Sequence, residues 1–164
     1  MESWKIGDVE IHRVVDLLMD MPTVFLFPEG SPDELTQHHG WLIPHFLQAD
    51  GQTMTVSVHT FVIRSGDATI VVDTCIGNNK ERDAPNWNKR NSDFLERLSE
   101  RGSARAAVDM VLCTHLHVDH VGWNTILEND RWVPTFPKAK YLIGREEWAF
   151  WEHEDDPFGK QAKA

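Results

Sequence analysis

The amino-acid sequence predicts an α+β fold, a mixed sheet with helices on one face, on three observations. Runs rich in Val, Ile, Thr and Phe meet at the turn residues Gly7-Asp8 and Ser65-Gly66-Asp67, which marks antiparallel hairpins. A helical stripe over residues 92–101 separates two apolar runs, and strand–helix–strand order reads as a crossover unit packed on a sheet. At 164 residues the chain is long enough for a real core and short enough for one domain.

The first hairpin spans residues 4–15, with Val9 and Ile11 alternating against Glu10 and His12. Residues 20–47 change character, because Pro22, Pro28, Pro32 and Pro44 rule out one long regular element. Ser31-Pro32-Asp33-Glu34 predicts a short helix with Ser31 as its cap and Pro32 at its first position. Phe25, Phe27, Trp41 and Phe46 lie in this segment. It reads as an irregular wrap over the sheet with its aromatics packed, ahead of an active-site lid or a subunit contact.

Residues 54–64 and 69–73 predict the strands of the second hairpin, and Thr69-Ile70-Val71-Val72 has the composition of a strand buried on both faces. Residues 78–91 read as a loop around Pro85 and Trp87. The helix over residues 92–101 takes Asn91 or Ser92 as its cap, presents Phe94, Leu95 and Leu98, and stops at Gly102. A strand over residues 108–113 follows. Residues 123–125 continue a loop, residues 130–137 form a turn flanked by aromatics, and residues 139–143 form a short strand. A helix after Gly144 carries Glu146, Glu147, Trp148 and Trp151 to about His153, and residues 154–160 form a polar tail broken by Pro157.

A formal net charge of −10 argues against nucleic acid or an anionic membrane as partner. The start, Met1 to Asp8, lacks the basic opening and apolar core of a secretory signal, and no stretch approaches the length of a membrane span. Cys75 and Cys113 each lie beside an apolar run and show no metal spacing, so both read as buried free thiols in a reducing compartment. A cytoplasmic protein acting on a small molecule is expected.

The chemistry concentrates in Thr114-His115-Leu116-His117-Val118-Asp119-His120-Val121-Gly122. From the chain's own His and Asp frequencies, His-x-His-x-Asp-His arises by accident with a probability on the order of 10⁻³. In an extended strand end, side chains two apart point the same way, so His115, His117 and Asp119 would share a face while His120 falls to a neighbouring direction. Gly122 sits where a backbone turns tightly or approaches another group closely. Imidazole and carboxylate suit zinc, with manganese, iron or cobalt also accepted.

Four ligands in six residues are hard to fold around one tetrahedral ion and easily split between two. Such a pair activates a shared water, with Asp119 able to hold a metal and position that water. Asp73 ends an apolar strand, where a carboxylate is costly unless partnered. It is either a surface or cap residue or an acid that orients the metal loop. No Gly-x-Ser-x-Gly elbow marks a serine nucleophile, and the spacing of His38, His39 and His45 demands no metal.

Through residues 114–122, the chain resembles the metallo-β-lactamase superfamily. Val71-Val72-Asp73-Thr74-Cys75-Ile76-Gly77 and the hairpin strand before it support the resemblance. It implies an αββα sandwich, of which residues 1–164 form the N-terminal half as a single partial domain. It implies that His115 and His117 bind a first metal and that Asp119 and His120 bind a second. Asp119 would also face the nucleophilic water, and Asp73 would lie beneath the site. His117 stands where the oxygen-reducing diiron relatives carry Glu, which favours hydrolysis over redox chemistry.

The N-terminal proline- and aromatic-rich segment is similar to that of lactone and organophosphate hydrolases. Family members continue beyond this length, where they supply another His, a bridging Asp and a final His. Here only His153 lies downstream of the motif, between Glu152 and Glu154, and it matches no family ligand. The expected function is dinuclear-zinc hydrolysis of a small ester, lactone or phosphotriester by a metal-bound hydroxide. The alternative is a catalytically inactive metal-binding fragment. A half sandwich exposes faces meant for its other half, which implies a homo-oligomer or aggregation.

Overall fold

The computed structural model describes residues 3–30 and 32–153. Ser31, the expected helix cap, and the polar tail over residues 154–160 lie outside the described residues. Strand β1 (Ser3–Ile6) turns at Gly7, with φ +60°, into β2 (Val9–Pro22), in the register Trp4↔Ile11 and Ile6↔Val9. Three short helices follow, α1 (Thr23–Leu26), α2 (Pro32–Thr36) and α3 (His39–Leu42). Strands β3 (Thr53–Ser65) and β4 (Ala68–Val72) form the second hairpin, and α4 (Phe94–Glu100) leads to β5 (Met110–Leu112). The rest is α5 (Val118–Val121), β6 (Thr125–Glu128), β7 (Arg131–Pro134), β8 (Lys140–Leu142) and α6 (Arg145–His153).

Six strands form one mixed sheet in the order β1-β2-β3-β4-β5-β8, and β6 pairs with β7 alone. The chain divides into two compact units, Met1–Asp16 with Val58–Ala164 and Leu17–Ser57.

In the larger unit β4 lies parallel to β5 and β5 parallel to β8, so the expected crossover is present. The registers Val62↔Val71, Val71↔Val111 and Val111↔Tyr141 line one face. Val62, Val71 and Val111 are fully buried, as are Phe94, Val108 and Phe136. Trp123 is buried with them and stacks on Phe94 at 5.6 Å between centroids. The alternation of β structure sends Phe61, Ile63, Ile70, Val72, Met110 and Leu112 to the opposite face, where they are half-buried. β4 is therefore fully buried on one face only, which corrects the expectation of two.

Two further expectations are corrected here. Ser92 does not cap α4, because its hydroxyl donates to Asp16 Oδ1 at 2.8 Å, and the helix starts two residues later. Thr125, expected in a loop, and residues 130–134, expected in a turn, belong to a hairpin over residues 125–134 whose turn residues Asn129 (φ +50°) and Asp130 (φ +60°) both take the left-handed region of a type I′ turn. Gly102, with φ +70°, ends α4 as expected, and both cysteines are buried free thiols.

In the smaller unit, Thr23 N–H donates to Gln52 O at 2.8 Å and Asp50 accepts from the backbone of Gln52 and Thr53. Its aromatics are not packed away. Phe25 is 73 % exposed, Phe27 59 %, Trp41 59 % and Phe46 58 %. Proline breaks keep its helices to one turn or little more, too short to gather a buried stripe. Among the described residues of the chain, no helix is long and apolar enough to cross a membrane.

Candidate metal centre

β4 and β5 end level with each other, Val72 opposite Leu112, so the two segments that follow emerge at one sheet edge. Asp73 leaves β4 with φ +57°, a conformation in which short polar side chains are enriched. Its carboxylate accepts the Thr114 N–H at 2.8 Å and the Thr114 hydroxyl at 2.7 Å, and Oδ2 lies 2.9 Å from His120 Nδ1. The buried strand end is thus fully partnered.

Backbone hydrogen bonds lock the segment after Asp73 to the end of the motif. Thr74 N donates to His120 O, Gly122 N to Cys75 O and Trp123 N to Thr74 O, each at 2.7 Å. A Cβ on Gly122 would fall 1.9 Å from the Ile76 carbonyl, so only glycine allows this approach. Asn124 stands behind, accepting from the Thr74 hydroxyl at 3.0 Å and donating to Cys113 Sγ at 3.4 Å.

The motif is not a continued strand. Residues 113–117 form a loop and α5 begins at Val118. His115 and His117 come from the loop, whereas Asp119 and His120 come from a single helical turn that buries Val118 and Val121. The alternation expected through Asp119 is corrected to that extent. The four side chains still meet. His115 Nε2 lies 3.2 Å from His117 Nδ1, and His120 Nε2 lies 3.5 Å from Asp119 Oδ2. The His115 and His120 rings approach to 3.9 Å.

The electrostatics follow. Burial alone would lower the His120 pKa, but the hydrogen bonds and charges of Asp119 and Asp73 raise it to about 9 in the metal-free chain. Burial pushes Asp73 and Asp119 up, yet hydrogen bonds, His120's foremost, hold both below the usual carboxylate range. Burial, then the neighbouring His120 and His117, push His115 down.

Two nitrogens on a tetrahedral zinc, each at 2.0–2.1 Å, stand roughly 3.3 Å apart. The His115–His117 separation of 3.2 Å matches that edge, and Asp119 with His120 offers a second pair of suitable chemistry. Among the described residues no three His, Cys, Asp or Glu side chains are grouped to hold one metal. Either pair taken alone is short of a full tetrahedral shell. His153 is exposed at the end of α6.

Sequence reasoning missed Glu147. Its Oε1 accepts the Leu116 N–H at 2.8 Å and the Trp151 indole N–H at 2.7 Å. Only the i,i+4 spacing of Glu147 and Trp151 was visible in the sequence.

The family model for the metallo-beta-lactamase superfamily matches residues 54–159. Fold, motif and match together define the class, and the chain belongs to the metallo-β-lactamase superfamily. No curated protein sequence matches it. A probable metal-dependent hydrolase from Staphylococcus aureus superposes with TM-score 0.74 at 18 % identity, covering 97 % of this chain and 55 % of that one. AidC, a dizinc quorum-quenching lactonase solved in complex with a product, gives 0.70 at 18 % identity, with 94 % and 48 % covered. The hydrolase AbOPH of the beta lactamase superfamily gives 0.60 at 27 % identity, with 94 % and 47 % covered. The chain spans about half the length of these structures.

Proposed function

We propose that this protein is a metal-dependent hydrolase of a small ester, lactone or phosphotriester. His115 with His117 would hold one zinc ion and Asp119 with His120 a second. The observation that carries the proposal is the meeting of these two donor pairs above a fully partnered Asp73. Divalent metal at such a site supplies a water of lowered pKa and polarises the bond under attack. Asp119, held as a carboxylate at neutral pH, would orient that water and take its proton. Asp73 fixes the His120 ring through Nδ1 and so presents Nε2 to the site. The lactonase among the similar structures supports a lactone ahead of the other substrate classes. The net charge of −10 and the buried thiols favour a cytoplasmic enzyme with no nucleic-acid partner.

The alternative is a metal-binding chain without turnover. Metal content per chain, measured beside His117→Ala and Asp119→Ala, with turnover on lactones and phosphotriesters, separates the two. Close to two ions lost in the variants, together with turnover, is the expected result. Retained metal with no turnover selects the second reading, and no metal in the wild type overturns both.

A further inference from the structure

We propose that Glu147 and Trp151 of α6 are positioning residues that set the geometry of the His115–His117 pair. This role presupposes the metal ligation proposed above. Leu116 is the residue between the two imidazoles, so holding its peptide N–H restrains the backbone that carries both. Glu147 Oε1 holds that N–H at 2.8 Å, a charge-assisted contact of the stronger kind. The same oxygen accepts the Trp151 indole N–H at 2.7 Å, which fixes the indole. The Trp151 ring meets the His117 ring edge-to-face, 5.5 Å between centroids at 77°. One carboxylate thereby governs the peptide between the ligands and, through Trp151, the face of one ligand.

The surroundings give this contact its leverage. Leu116 is 7 % exposed and Trp151 8 %, so both donors belong to packed residues, while the accepting Glu147 is only half-buried. The Leu116 N–H holds the Glu147 carboxyl below its usual range, which keeps it charged at neutral pH. Leu116, Val121, Ile143 and Trp151 also border an open pocket of about 360 Å³. The tether to Glu147 restrains the peptide at the edge of that pocket. α5 carries Asp119 and His120 without contacting Glu147 through any of these bonds, so the effect belongs to the first pair.

The test is zinc affinity of the full chain by competition with a chromophoric chelator, with the visible spectrum of the cobalt-substituted protein as a geometric readout. Wild type, His117→Ala, Glu147→Ala, Glu147→Gln and Trp151→Leu are compared, each confirmed folded by its urea transition. Glu147→Ala and Trp151→Leu are expected to weaken zinc at least tenfold and to alter the cobalt bands. Glu147→Gln, which keeps one acceptor oxygen, is expected to recover to within about threefold of wild type. A folded Glu147→Ala or Trp151→Leu with wild-type affinity and an unchanged cobalt spectrum overturns the proposal. If Glu147→Ala does not fold, Trp151→Leu decides by the same thresholds. Should His117→Ala bind zinc as wild type does, the metal ligation itself fails, a result distinct from failure of the α6 contact.

Discussion

Asp73 ties two chain segments to one imidazole, and the consequence is measurable without metal. Together with Asp119 it raises the His120 pKa from 6.5 to about 9 against the pull of burial. A raised histidine pKa contributes stability that is fully present below about 6.5 and lost as pH rises through about 9. The lowered carboxylates contribute above their ordinary value of 3.8 and lose that contribution as pH falls through their folded values. Asp73→Asn is expected to bring the His120 pKa down toward 6.5, though not fully, since Asp119 remains. Alkaline loss of stability should then begin at lower pH. An NMR titration of metal-free protein measures this directly, and a His120 pKa still near 9 would assign the whole effect to Asp119. The meeting of His115, His117, Asp119 and His120 was legible in the sequence, because their close spacing leaves the side chains little room to separate. Glu147 and Thr114 were not, since a carboxylate or hydroxyl acquires its role from whichever distant backbone the fold brings to it.

Among elements, β2 does more than pair with its neighbours. Asp16, with its side chain wholly buried, accepts the Ile76 N–H at 3.3 Å, the Ser92 hydroxyl at 2.8 Å and Arg90 at 3.1 Å. Arg97 donates to Val15 O at 2.5 Å, so α4 and the loop before it are pinned to one strand. Asp16→Ala leaves the Arg90 guanidinium, 14 % exposed, without its buried counter-charge. Breaking such a pair costs about 3–5 kcal/mol, and urea unfolding should show a loss in that range. A loss under about 1 kcal/mol would show that water or another acceptor replaces Asp16 readily. This cluster also explains why a helix boundary was misjudged from local pattern. Ser92 has every local attribute of a cap, but a carboxylate 76 residues away claims its hydroxyl. The β6–β7 hairpin escaped for another reason, since its left-handed turn is made by Asn129-Asp130 with no glycine to announce it.

For the whole molecule, the decisive feature is how unequally the main sheet covers its two faces. The first two hairpins and the crossover were readable because each rests on local turn chemistry or composition, whereas the coverage of a face depends on everything packed against it. One face buries Val62, Val71 and Val111 completely, while Phe61, Ile63, Ile70, Val72, Met110 and Leu112 on the other are only half-covered. Ile6 on the edge strand β1 is 67 % exposed, and Leu142 on the opposite edge strand β8 is 43 % exposed. Soluble monomers rarely leave contiguous apolar surface beyond a few hundred Å² in water, and uncovered edge strands add pairing sites. A second copy of this chain offers one cover of matching chemistry for these residues. The chain is therefore expected to sediment above its 18.9 kDa monomer mass at tens of micromolar. Because the driving force is apolar burial, added salt should leave that association intact or strengthen it. Phe61→Glu, which places a charge in the middle of the half-covered face, should shift the equilibrium toward monomer, whereas Asp67→Asn in the exposed turn should not. Sedimentation as a monomer up to about 100 µM, with no dye binding to exposed apolar surface, would show that this face is stable in water without a partner.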